Sequence, residues 1–549
     1  MAHDFHTTEF AEARGDVRSA LRRNFLSRFT DDVSDLATRL ADSMRTGRLV
    51  HLPEEELNRR QADLATITGQ ECEACLKAEW AVPPRFFLGG RVDSSKQALA
   101  SEVVTSAMGE PVAKVMHGEA ARVWNPEAAG PPGRVIRRQL DEARGFLEAE
   151  LYNRILVRLA PIPSLGGYVM VQVDAGYGDQ SLPPGNAALG TAAEMLCRWH
   201  PLEGWRQLEL DAALADEDVS GSLSVGWNSF QWSGSTDRSQ LRRQLDLLVG
   251  LVSRPGLAAM PRPWVPDAHA RAWDEKVRDT FTRKTRETIR LQNGFDPRFE
   301  FYPEGLMKTD STQVAEWLLP MLAGERLCVS LAGDFEPEAA LAAVAATFGA
   351  LPGRPVWEET GSFPPPPLPD PGVTRVVLEK HGTVASVTLM FSLGPAGDAA
   401  ETLRRDLLEQ ALQLRVVEVM REKRGDSYAP RVDRRMRADH GTEWLVIDVP
   451  CAEGRAAETS EVLRDLVRSF RDQGWTRDEF QRALRPMPHV ASRLARHPLA
   501  VLMHLQSPAR MPAPGQLDPA ALGAMEGAVR ELARRVLDLD AAVELQVDR

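Results

Sequence analysis

The sequence predicts an α+β chain built from repeated units, each a mixed or antiparallel sheet covered by helices. Three observations carry the prediction. The chain has 549 residues, 43% of them hydrophobic and 26% charged, which is too much apolar matter for one core and suits about two to four domains. Strand-like alternation and helical periodicity succeed one another in a recurring order. A short segment near the start is matched in type by one near the end.

The elements follow in that order. "YVMVQVDAGYG" (168–178) alternates like a half-buried strand, and "GNAALGTAAEMLCRW" (185–199) reads as a helix. "SGSLSVGWNSFQWSGSTD" (220–237) has the form of a hairpin, and "QLRRQLDLLVGLV" (240–252) is amphipathic with helical period. After 310 the order returns as the strand "RLCVSLAGDF", the helix "EPEAALAAVAATFG", the strand "VASVTLMFSL" and a long helix from Asp398. Asp398 with Glu401 three residues on predicts an N-cap with a capping box. Two proline-rich stretches, "NPEAAGPPGR" (125–134) and "FPPPPLPDPG" (363–372), read as linkers because consecutive prolines remove backbone donors.

Composition excludes several function classes. With 66 basic and 78 acidic residues the net charge is −12, so no general electrostatic hold on nucleic acid or anionic lipid is expected. No apolar run approaches the ~20 residues that span a bilayer, and "MAHDFHTTEFAEARGDV" has no apolar signal-peptide core. Five cysteines are too few for a disulfide framework. The lone CxxC, "CEAC" at 72–75, lies in a helical stretch with no second pair to complete a zinc site.

Self-comparison gives the repeat. "DFHTTEF" (4–10) and "GWTRDEF" (474–480) both place an aromatic and polar residues before a Glu-Phe that opens a helix, 470 residues apart. On that offset residues 1–95 repeat the tail of the last domain. Met1 is then expected to fall inside a domain whose first part is missing, with helices such as 32–47 exposing apolar faces.

The most specific segment is "LRVVEVMREKRGDSYAPRV" (414–432). Leu408, Leu412, Val416 and Met420 fall on one helical face, which packs inward. Gly425 supplies the permissive residue that ends the helix, and a strand is expected from about Ser427. Arg421 in the last turn suits the negative end of the helix dipole, and Tyr428 follows at the strand entrance. A guanidinium and a phenol converging there could donate hydrogen bonds to a peptide carbonyl or its developing oxyanion. On the residues alone a plainer reading is also open, in which Arg421 caps the helix and Tyr428 packs in the core.

These segments resemble the C-terminal portion of an insulinase/pitrilysin-type metallopeptidase, the class with an inverted zinc motif. The passage 319–353 is similar to the one that opens the second domain of each pair in that family, and "ELYNRILVRLAP" (150–161) to the opening strand of the first, with Arg154 where a glycine is usual. "LATITGQECEACLKAEW" (64–80) resembles the closing helix of a second domain. The resemblance implies repeated insulinase-like domains: a truncated remnant at 1–95, a linker at 96–135, an inactive domain at 136–309, and a C-terminal domain at 310–549. It implies that Arg421 and Tyr428 hold substrate from the half opposite the zinc.

Zinc chemistry in this class needs His-x-x-Glu-His on a helix, two imidazoles binding the metal and the glutamate activating water. At the matching helix those positions fall on Gly190, Ala193 and Glu194. His200 and Glu203 keep two spacings of the motif, but Gly204 replaces the second histidine. Among the eleven histidines no two stand four apart; His497 and His504 are seven apart, with Pro498 between. No Gly-x-Ser-x-Gly elbow or Walker loop is present. This chain is therefore expected to bind no cofactor and to be inactive alone. It is expected to act as the substrate-holding half of a zinc peptidase, with peptide substrate and a zinc-bearing half, in cis or in trans, as partners. The alternative is a structural core-type subunit of a larger complex.

Overall fold

The computed structural model describes residues 7–26, 28, 33–81, 102, 106, 122–126, 130–257, 280–296, 298, 303–358, 368–377, 385–436, 442–489 and 496–548. The chain divides into two compact units, residues 1–125 with 208–218, and residues 126–207 with 219–549.

The first unit is helical: α1 (Thr7–Leu26), α2 (Val33–Thr46), α3 (Pro53–Thr66) and α4 (Gly69–Trp80). Residues 208–218 join it because Gly15 lets α1 approach the Ala215 backbone. A Cβ at Gly15 would lie 2.6 Å from that of Ala215, and Ser19 Oγ donates to Ala215 O at 2.8 Å. Arg18 pairs with Asp216 at 2.8 Å, and Arg22 pairs with Asp218. Neither α3 nor α4 buries a residue fully. On α2 the apolar stripe Leu36, Leu40 and Met44 is 48%, 39% and 83% exposed. The expected linker at 96–135 lies mostly outside the described residues, as does 363–367.

The second unit holds two sheets. The first comprises β1 (Val135–Asp141), β2 (Phe146–Leu151), β3 (Leu156–Pro161), β4 (Tyr168–Ala175), β5 (Ser222–Val225), β6 (Phe230–Asp237) and β7 (Leu327–Gly333), ordered β1-β2-β3-β7-β4-β6-β5. Only the β3–β7 pair is parallel. Helices α5 (Ala188–Trp199) and α6 (Leu241–Ser253) pack on this sheet. Beyond them come α7 (Thr280–Gln292), α8 (Ser311–Gly324) and α9 (Pro337–Thr347), of which α9 packs on β3.

β7 lies past 310, inside the range expected for the C-terminal domain. Every residue of β7 is buried, as a central strand covered on both faces must be. It inserts between β3 and β4, so 327–347 completes the first sheet rather than opening the second.

The second sheet comprises β8 (Gly372–Val377), β9 (Ala385–Pro395), β10 (Arg431–Met436), β11 (Thr442–Cys451) and β12 (Val543–Asp548), ordered β10-β11-β9-β12-β8. Alternate residues of β9 and β11, among them Leu389, Phe391, Leu445 and Ile447, face the main core. That core is closed by α10 (Ala399–Val417), α11 (Ala456–Gln473), α12 (Arg477–Leu484) and, after α13 (Pro498–Leu505), α14 (Glu526–Val536). The other face gathers Met390, Trp444, Val446, Val543 and Leu545 around Leu291 of α7. Val501, Leu502 and Leu505 of α13 pack on Ala160 and Ala332 of the first sheet.

Local signals in the sequence translate directly. Asp398 caps α10 by accepting from Glu401 N at 2.8 Å. The reciprocal half of the capping box does not form, because the Glu401 carboxylate turns to Arg404 and Arg405 instead. Thr476 and Glu479 form the full box at α12, the segment matched to the chain's start.

Candidate functional site

The candidate site is the passage from the end of α10 to β10. Leu408, Leu412, Val416 and Met420 are all fully buried, so the helix is seated along the stripe its sequence predicts. Its last turn, Glu418–Lys423, widens into a π-helix, a distortion frequent at functional sites. The turn closes with Arg424 N donating to Val419 O at 3.1 Å. Gly425 then takes φ +66° with nothing near its Cβ position. The N–H groups of Asp426 and Ser427 both return to Met420 O, at 3.0 and 3.2 Å.

The expected strand start near Ser427 is corrected: β10 begins at Arg431, because the proline at 430 has no N–H and the two hydrogen bonds accepted by Met420 O hold the chain back in a turn. Tyr428 therefore sits in an irregular arch before the strand. Its side chain is 93% exposed, so it does not pack in the core. Arg421 is 52% exposed, and its ion pair to Glu422 is long at 3.7 Å, a contact worth little in water. Between them the passage presents a cation and a phenol to solvent from a backbone anchored in the core.

Charged residues that sequence reasoning did not single out hold this arch. Asp426 receives Arg455 Nη1 at 3.0 Å and Arg424 Nε, while Glu458 receives Arg455 Nη2 at 2.7 Å and Arg424 Nη2 at 3.2 Å. Burial pushes the Asp426 carboxyl up, but the bonds and charges of Arg424 and Arg455 outweigh it and hold the group below the usual carboxylate range. Further along, Gln413 of α10 donates to Pro430 O at 3.2 Å and accepts from Val432 N. Glu409 accepts from Arg434 N at 3.2 Å. No local motif announces these bonds, since Asp426 and Arg455 are 29 residues apart.

The helix at the position of the zinc motif is built for another purpose. Gly190 of α5 lies where a Cβ would come within 2.8 Å of Asp179 Oδ1, and Ala193 is fully buried. The Glu194 carboxylate accepts from Val225 N at 2.7 Å and Ser224 Oγ at 3.4 Å, which ties α5 to β5. With no imidazole and its one carboxylate engaged, this helix does not fit a zinc ion. His200 ends α5 and Gly204 follows at φ +75°. His497 and His504 lie at opposite ends of α13. Cys72 and Cys75 are free thiols on α4. Among the described residues no group of three or more His, Cys, Asp or Glu is placed to hold a metal.

Residues 310–487 match the family model of the peptidase M16 inactive domain. No curated protein sequence matches the chain. Its fold is similar to that of the ferredoxin protease FusC, solved in complex with Arabidopsis ferredoxin, with a TM-score of 0.63 at 13% identity over 100% of this chain and 61% of that one. The periplasmic protease PqqL from Escherichia coli gives 0.62 at 15% over 99% and 61%. Pitrilysin gives 0.55 at 14% over 76% and 46%. The chain thus spans about three fifths of the length of the first two. Residues 310–487 thus resemble the inactive domain of M16 peptidases, and the fold is similar to that of pitrilysin-type proteases.

Proposed function

We propose that this chain is the substrate-holding, non-catalytic half of an M16-type peptidase and works with a zinc-bearing half, joined in cis or recruited in trans. Tyr428 carries the reading. A large aromatic held in full solvent exposure by a buried helix, with Arg421 seven residues before it, has no use in the core it stands on. The chain's own chemistry is then recognition. Arg421 supplies charge-assisted donors to a peptide carbonyl, and the Tyr428 hydroxyl supplies a neutral one that strengthens as the carbonyl oxygen gains charge. Zinc, with the activated water it supplies, belongs on this reading to the other half, since Gly190, Ala193 and Glu194 do not fit it here.

Binding of a fluorescein-labelled unfolded polypeptide, reduced and carboxymethylated α-lactalbumin, tests the reading by anisotropy. Tyr428→Phe should weaken binding about two- to tenfold and Arg421→Gln about ten- to a hundredfold, the range for neutral and charged hydrogen bonds. With a zinc-bearing half supplied, Tyr428→Phe should lower turnover about ten- to a thousandfold, as for loss of one oxyanion donor. A structural subunit without a peptidase role would bind the probe equally well in all three forms.

A further inference from the structure

We propose that Asp426 and Gln413 are positioning residues that hold Tyr428 ready for a peptide, an inference that rests on the reading of Tyr428 as a substrate-holding group. The arch from Arg424 to Pro430 belongs to neither helix nor strand. An exposed tyrosine on a free arch would surrender much of any hydrogen-bond energy to ordering its own backbone when a ligand arrives. Here that ordering is already done, from both ends.

At the first end Asp426 joins two guanidiniums from different elements, Arg424 of its own turn and Arg455 at the start of α11. Glu458, one turn into α11, accepts from Arg424 Nη2 and from Arg455 Nε and Nη2. The four side chains form a closed alternation of charge that ties the arch to α11. At the second end Gln413 uses both faces of one amide, donating to Pro430 O and accepting from Val432 N. These groups lie on the outward side of β10, the edge strand of its sheet, where they would otherwise face water or another chain. Ser427 is buried between the two clamps. Tyr428 and Ala429 are left as the exposed crown of a fixed arch.

The ion pairs are part-exposed, so they add little to the stability of the whole domain. Their effect falls on the arch itself. A chain labelled with 3-fluorotyrosine tests this, because five tyrosines give five fluorine resonances and Tyr428→Phe identifies the one that matters. In Asp426→Asn the transverse relaxation rate of the Tyr428 signal should fall at least about twofold as the ring gains fast motion. The other four signals should hold. Affinity for the labelled α-lactalbumin should drop about two- to fivefold, no more than Tyr428→Phe itself costs. The melting temperature should stay within about 3 °C. Asp426→Glu keeps the carboxylate and should restore most of both losses, and Gln413→Ala should loosen the same signal from the other end. An unmoved Tyr428 relaxation rate in Asp426→Asn and Gln413→Ala overturns the proposal, as does full probe affinity in Asp426→Asn when Tyr428→Phe binds weakly. Should Tyr428→Phe bind the probe as tightly as the parent, the substrate-holding reading fails instead, and the relaxation rates still judge whether Asp426 fixes the arch.

Discussion

Asp179 and Gly190 face each other so closely that a Cβ on Gly190 would lie 2.8 Å from the Asp179 carboxylate. That carboxyl is pushed up to about 7, first by burial and then by the nearby charge of Glu194. A carboxyl raised in the folded state binds its proton more tightly there than in the unfolded chain, so its stabilising share is complete below about pH 4 and is lost as pH rises through 7. Asp179→Asn removes the titration. Its stability advantage over the parent should therefore grow between about pH 4 and 7 and level off above, reaching at most about 4 kcal/mol. Urea unfolding at pH 4.5, 6 and 8 measures it; an advantage that shrinks with rising pH would contradict the placement of Asp179.

Arg154 turns the chain from β2 to β3 at φ +68°, a conformation that costs an L-residue about 1 kcal/mol and a glycine almost nothing. The turn is tight, with Arg154 N donating to Leu151 O at 2.8 Å and Leu151 N to Ile155 O at 2.9 Å. The Arg154–Glu150 ion pair at 2.8 Å recovers part of the strain, but Arg154 is half-exposed there. Arg154→Gly should raise the unfolding free energy by about 0.5–1 kcal/mol. A loss of stability would mean that the ion pair outweighs the backbone.

How far the sequence was legible follows from the range of each signal. The stripe Leu408, Leu412, Val416 and Met420 was readable because helical period is local, and all four are buried. The glycine-like demand at Arg154 was legible only through the family resemblance, in which a glycine is usual at that position; the structure supplies its reason in the positive φ. The membership of β7 was not, since strand order depends on pairing between residues some 170 apart, such as Val157 with Val329. The Asp426 clamp was hidden for a similar reason: Arg424 is close in sequence, but Arg455 lies on another element, and charged residues in a loop read alike whether bound or free.

The first unit carries a prediction about association. Leu36, Leu40 and Met44 recur every fourth residue along α2 and are all exposed, an apolar ridge of the kind that drives self-contact. Leu40→Gln with Met44→Gln should lower the concentration-dependent mass seen in sedimentation without lowering the melting temperature, because neither side chain is buried. Equal self-association in parent and variant would place the sticky surface elsewhere.

Arg405 links three parts of the second sheet at a point where its registry slips. Its Nη1 reaches Glu443 Oε2 at 2.9 Å, and Nη2 serves the carbonyls of Leu393 and Pro395 at 3.0 and 2.9 Å. These residues flank the irregularity between β9 and β11 at Glu443 and Trp444, where a broken ladder leaves carbonyls in need of donors. Arg434 also pairs with Glu443 at 3.2 Å, so loss of Arg405 strands the carbonyls more than the carboxylate. Arg405→Ala should cost about 2–4 kcal/mol. Arg405→Lys should regain less than half, because one ammonium cannot span two carbonyls and a carboxylate as the planar fork does. Urea titration of parent and both variants separates the cases: a lysine variant as stable as the parent would reduce Arg405 to a point charge and remove its role in holding the bulge.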